Sequence, residues 1–167
     1  MAVVNAYVNS NLNTAGTRVT ALEAGRGREM TFVYNFETAA ADDNDSIYRL
    51  ARIPANWVPV SIYIDCDAIT GMADVNIGFH HTLENGGLAA ETDANILDDA
   101  MDFSSALVNS WGMTDMDPAN KNKTVGELAG ATVLTQKAEY DLTLLAIAAA
   151  STAATISVRA TFVVDEN

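Results

Sequence analysis

Residues 47–79 read IYRLARIPANWVPVSIYIDCDAITGMADVNIGF. The stretch divides into a strand, a Pro-Ala-Asn turn, a long strand, a Thr70-Gly71 turn and a further strand. In the long strand Val58, Val60, Ile62, Ile64 and Cys66 fall on alternate positions, and Trp57, Pro59, Ser61, Tyr63 and Asp65 take the others. Successive strand side chains point to opposite faces, so one face is predicted to be buried and the other more polar. Pro54 and Pro59 flank Trp57, and proline in a sheet belongs at edges, strand starts or bulges. A stiff turn or bend is therefore expected there.

Outward from this stretch the same period recurs. Met30, Phe32, Tyr34 and Phe36 share one face of an earlier strand, and Val75, Ile77 and Phe79 one face of a later one. Tyr140, Leu142, Leu144, Ala146 and Ala148 alternate, as do Ile156, Val158, Ala160, Phe162 and Val164 after the small-residue turn 149–153. This last pair is predicted to be a hairpin. Asn85-Gly86-Gly87 signals another reversal. Thr92 to Met101 (TDANILDDAM) is the best helix candidate, with Ile96, Leu97, Ala100 and Met101 on one side and Thr92 or Asp93 as cap. Residues 103–123 read as loop, and Thr124 to Gly130 as a helical turn or a short strand. Many short strands, frequent turns and little helix predict an all-β chain: an antiparallel β-sandwich, jelly-roll-like, with one short helix. Its predicted core is Val60, Ile62, Ile64, Val75, Ile77, Leu142, Leu144, Val158 and Phe162.

A length of 167 residues suits one domain with a sizeable core. Residues 1–28 lack a core pattern and are read as an extended N-terminal arm, with a single sandwich domain over 29–167. The arm holds Arg18, Arg26 and Arg28 against Glu23 alone, whereas the whole chain carries a net charge of −13. Nucleic-acid binding needs clustered cations, so no direct nucleic-acid partner is expected. Met1 to Leu12 has neither the charged start nor the apolar core of a secretory signal, and Leu144 to Ala150 is too short to span a bilayer, so no membrane partner is expected either.

No Gly-rich phosphate loop, HExxH or GxSxG motif occurs, and no enzyme activity or cofactor is expected. Cys66 continues an apolar strand face and reads as a small buried hydrophobe. His80 and His81 are strand neighbours that point apart, so they are not expected to share a metal. Asp42, Asp43 and Asp45 lack the glycine and distal glutamate of a calcium loop and read as a solvated turn. Trp57 and Trp111 lie in turn or loop regions and leave open a second reading, a carbohydrate-binding or host-attachment module.

The order of these signals resembles small capsid-associated proteins of tailed bacteriophages. The likeness rests on the Asn/Ala-rich arm ending at Gly25-Arg26-Gly27-Arg28, MTFVYNFE, the stretch 47–79, DANILDDAMDFSSA and the closing YDLTLLAIAAASTAATISVRATFVV. What it implies is a decoration, or cement, protein: a homotrimer made in the host cytoplasm, bound to the major capsid protein on the outer surface of the virion. On that reading Val3, Val4, Tyr7, Val8, Leu12, Arg18, Arg26 and Arg28 are the expected capsid or neighbour contact. Leu145, Ile147 and Val163, apolar on the far side of their strands, are the expected subunit interface.

Overall fold

The computed structural model describes residues 29–82, 93–130 and 139–164, together with the backbone of 5–7. Nine strands follow one another among the described residues: β1 (Asn5–Tyr7), β2 (Glu29–Thr38), β3 (Ser46–Pro54), β4 (Val58–Cys66), β5 (Val75–His81), β6 (Asp98–Met101), β7 (Leu107–Trp111), β8 (Glu139–Ala146) and β9 (Ala154–Val163). They form a five-stranded sheet in the order β1-β3-β8-β5-β6 and a four-stranded sheet in the order β2-β9-β4-β7. All pairings are antiparallel except β1 with β3. This is the expected β-sandwich. Its core lies between the sheets, where Ile62, Ile64, Val75, Ile77, Leu142, Leu144, Val158 and Phe162 are buried, as their alternation predicts. Phe36 of β2 meets Tyr48 of β3 with ring centroids 5.3 Å apart, so these two strands face each other across one side of the sandwich.

Val60 departs from the expected core and is 41% exposed. The β4–β9 register slips between Pro59 and Ser61, and this bulge reverses the phase of the strand. Pro59 turns inward and Val60 outward, while Ile62 and Ile64 keep the predicted face. The bend anticipated from the prolines is real, and it displaces the neighbouring valine.

Strands β8 and β9 are not a hairpin. They belong to different sheets, and residues 147–153 carry the chain from one to the other. The crossing is fastened to other loops: Ala150 N–H donates to the Asp42 carbonyl at 3.0 Å, and Ser151 N–H to the Thr70 carbonyl at 2.8 Å. Gly71, at φ 93°, makes the approach possible, since a Cβ there would stand 2.6 Å from the Ala149 carbonyl oxygen.

The helix expected over 92–101 is absent from its described part, 93–101. That part ends as β6, and Ala100 adopts φ 68°, which a helix excludes. Before it, Phe79 N–H donates to the Asp93 carbonyl and Leu97 N–H to the Ile77 carbonyl, at 3.1 and 3.0 Å. Gly78 permits this close passage, because its Cβ would lie 2.3 Å from the Asp93 carbonyl oxygen. Pairing with β5 overrides the weak amphipathic pattern. The one α-helix among the described residues is α1, Val125–Leu128, within the stretch read as a helical turn or a short strand. Thr124 and Glu127 form a reciprocal capping box, and the next two N–H groups donate to Trp57 and Ala55 carbonyls. The stretch 103–123, expected to be loop, contains β7 and a 3-10 turn at Pro118–Asn120. The Asn85-Gly86-Gly87 turn lies outside the described residues.

Candidate interaction surfaces

Each sheet has a side turned away from the core, and the two differ in chemistry. On the five-stranded sheet that side carries Arg49 and Arg52 of β3, Asp141 and Thr143 of β8, and His80 of β5. Arg49 Nη1 donates to Asp141 Oδ2 and to the His81 carbonyl, both at 2.7 Å, and Arg49 and Asp141 are each fully buried. His80 Nδ1 lies 2.7 Å from Thr143 Oγ1. Burial, then the charges of Arg49 and His81, lower the His80 pKa to about 4. The imidazole is therefore neutral at ordinary pH, held by contacts that serve the fold. His81 stands on the opposite face and packs on Tyr140, as adjacent strand positions require.

A cavity of about 560 Å³ lies over this side, between Asn76, His80 and Leu145 of the sheet, Asp93 and Asn95 of the crossing segment, and Leu128 of α1. Leu145, expected at a subunit interface, is half-buried in its wall. Ile147 is 40% exposed just beyond the end of β8.

The four-stranded sheet presents a row that crosses all its strands. Val33 of β2 stands opposite Arg159 of β9, Arg159 opposite Tyr63 of β4, and Tyr63 opposite Trp111 of β7. The Arg159 guanidinium lies 5.0 Å over the Tyr63 ring and donates to Asn109 Oδ1 at 2.7 Å. Tyr63 and Trp111 meet edge to face at 5.2 Å. Val33 is 61% and Trp111 39% exposed. Trp111 also walls an open groove of about 780 Å³ with Val60, Met113, Met116, Lys121 and Val163. Val163, the third expected interface residue, thus lies on the opposite sheet from Leu145.

No family model matches the chain, and no curated protein does. Among solved structures the fold is similar to a chain in the capsid of Ralstonia phage GP4, with a TM-score of 0.62 and 16% identity, over 91% of this chain and 94% of that one. A chain in the capsid asymmetric unit of the cyanophage Pam1 is similar at a TM-score of 0.47 and 11% identity, over 92% and 97%. The first likeness establishes the fold.

The remaining candidates are placed as follows. Trp57 is half-buried against the core, stacked on Phe32 and tilted against Phe162. Asp42 accepts from the Tyr48 hydroxyl at 2.6 Å and from Ala39 N–H at 3.0 Å, which ties its turn to β3. Burial raises the Cys66 thiol pKa. Of the expected arm contacts, Tyr7 lies in β1, whose backbone pairs with Ile47–Arg49 of this chain. Val3, Val4, Val8, Leu12, Arg18, Arg26 and Arg28 lie outside the described residues. The Val33–Arg159–Tyr63–Trp111 row was missed from sequence. Only the cross-strand register assembles it, and no local spacing announces it.

Proposed function

We propose that this chain is a tailed-phage virion structural protein that binds the outer surface of the capsid and stabilises it, as a decoration protein does. The observation that supports this best is the likeness to a chain of a phage capsid over nearly the full length of both. The polar clusters in the described residues fit the same reading: they are spent on internal contacts such as Arg49–Asp141. Cryo-EM of purified virions tests it. Density for this two-sheet domain on the outer shell is expected, and its presence only in the tail or inside the shell would overturn the reading.

The partners on this reading are the major capsid protein and two further copies of the chain. A cyclic trimer joins two different patches of each subunit around the ring. The apolar sites at Leu145 and Ile147 on one side, and at Val163 with Val60 and Trp111 on the other, supply two such patches. Sedimentation at micromolar concentration is expected to give the mass of three chains, and the mass of one would exclude it. The arm over residues 1–28 is the attachment element: Val3, Val4, Tyr7, Val8 and Leu12 supply apolar contact, and Arg18, Arg26 and Arg28 pair with carboxylates. A chain lacking residues 2–12 should fold yet decorate capsids less tightly.

The exposed Trp111 beside Tyr63 favours a second reading, a glycan-binding module. A glycan array with the native chain and Trp111→Ala separates the two. Binding lost in the variant supports the module, and no binding by the native chain removes it.

A further inference from the structure

Among the described residues five large apolar side chains stand exposed: Val33, Val60, Val108, Trp111 and Ile147. The first four belong to strands of one sheet, β2, β4 and β7. Two of them, Val60 and Trp111, wall the open groove of about 780 Å³ together with Val163. Met113 and Met116 also line it and are themselves buried, so they form its floor. Methionine is flexible and polarizable, and a methionine floor can repack around an inserted side chain. Val60 reaches the groove because the bulge between Pro59 and Ser61 turns it outward. Bulges re-aim side chains in this way, and here the strand gives up a buried valine to furnish the wall. Lys121 is the one charged residue in the lining, and no carboxylate joins it. Such a lining stands out on a chain with 22 acidic and 9 basic side chains.

We infer that this groove receives Ile147 of a second copy of the chain. Ile147 is the fifth exposed apolar side chain, and it lies just past β8, a strand of the other sheet. Its backbone is fastened on both sides. Ile147 N–H donates to the Asp74 carbonyl at 2.9 Å, and Asp45 N–H donates to the Ala146 carbonyl at 2.7 Å. A knob already fixed in place loses little freedom on docking. The same two bonds bring Asp45 and Asp74 beside it. Knob and groove therefore match in charge as well as polarity: an apolar side chain with carboxylates next to it, and an apolar groove with an ammonium and no acid. At a net charge of −13 per chain, two copies repel unless a cation of one meets an acid of the other. Arg49 and Arg52 are committed to Asp141 inside the fold, whereas Lys121 is exposed at the groove. Because groove and knob lie on different surfaces, the contact runs head to tail, and a ring forms where the rotation closes. The inference rests on the proposed association of copies and gives it residues. Ile147 enters the groove, while Leu145, half-buried in the wall of its own cavity, takes no part.

The experiment combines Val60→Cys with Ile147→Cys in the full-length chain, whose own Cys66 is buried. Mild oxidation of concentrated protein should give disulfide-linked species of more than one chain, with the 60–147 linkage identified by mass spectrometry. Ile147→Cys alone should not link to itself, because the contact joins unlike surfaces. Val33→Cys with Ile147→Cys should cross-link far less, although Val33 is the more exposed valine and chance collisions would favour it. No interchain 60–147 linkage, or equal linkage to position 33, would overturn the inference. A second arm uses charge. Lys121→Glu in the two-cysteine chain should slow the 60–147 cross-link by about threefold to tenfold, and adding Asp74→Lys should restore its rate. An unchanged rate in the first variant, or no recovery in the second, would also overturn the inference. The two readings fail separately. Native protein of three-chain mass without the 60–147 linkage keeps the trimer and loses this contact. The linkage in a chain that sediments as one copy at micromolar concentration keeps the contact and loses the stable trimer.

Discussion

On the five-stranded sheet, Arg49, Asp141 and His80 stand on the side turned away from the core and are still almost fully buried. On the four-stranded sheet, Val33, Arg159 and Trp111 occupy the equivalent side and meet solvent. Strand alternation sorts side chains into two faces on both sheets. Whether the second face is covered is decided elsewhere, by α1 and the 93–97 segment, which lie over one sheet and not the other. The covered face can hold charge only because each charge has a partner. The open face leaves Val33 61% exposed.

The contrast can be broken hardest at Asp141. Asp141→Ala removes the carboxylate from the buried Arg49 guanidinium. Urea unfolding should show a loss of about 3–5 kcal/mol. Within β4 the bulge gives an internal control. Ile62→Ala, at a buried position, should cost roughly 2–5 kcal/mol. Val60→Ala, two residues away, should cost about 0.5 kcal/mol or less. Equal losses would show that the bulge does not persist in solution.

His80 sharpens the comparison through pH. Its folded pKa of about 4 lies below the ordinary 6.5, so between these values the unfolded chain binds more protons. Stability is fully present above about pH 6.5 and falls on acidification toward pH 4, below which this contribution changes no further. Denaturation midpoints across that window should slope less for His80→Gln than for the native chain. A small effect is also expected on the open face, where Arg159→Ala should change stability by about 0.5 kcal/mol or less.

Much of the sandwich is legible in the sequence, and for one reason. Ile62, Ile64, Leu142, Leu144, Val158 and Phe162 obey a period of two that only a strand with one buried face requires. What escapes is what period cannot encode. Val60 fails because a bulge shifts phase without changing composition. The 92–101 helix fails because Gly78, fourteen residues before the segment, opens a lane for it along β5. The β8–β9 hairpin fails because partners, unlike faces, are chosen by the whole fold: β9 pairs with β2 and β4 instead. The surface candidates divide likewise. Leu145 and Val163, expected on one interface, sit on different sheets, and the row through Arg159 depends on three registers at once.

The position of β9 has a consequence for how the protein is made. It is the central link of the four-stranded sheet, joining β2 to β4, and it follows every other described strand along the chain. On the ribosome β2 and β4 emerge early and cannot pair with each other. Chains are synthesised at about 5–20 residues per second, so both strands wait several seconds for the segment that unites them. The sheet then closes over contacts such as Glu29 with Val163, among the most distant in sequence the chain contains. Such long-range closure is slow. A nascent chain that stops before Ala154 has the five-stranded sheet within reach and no means of building the other.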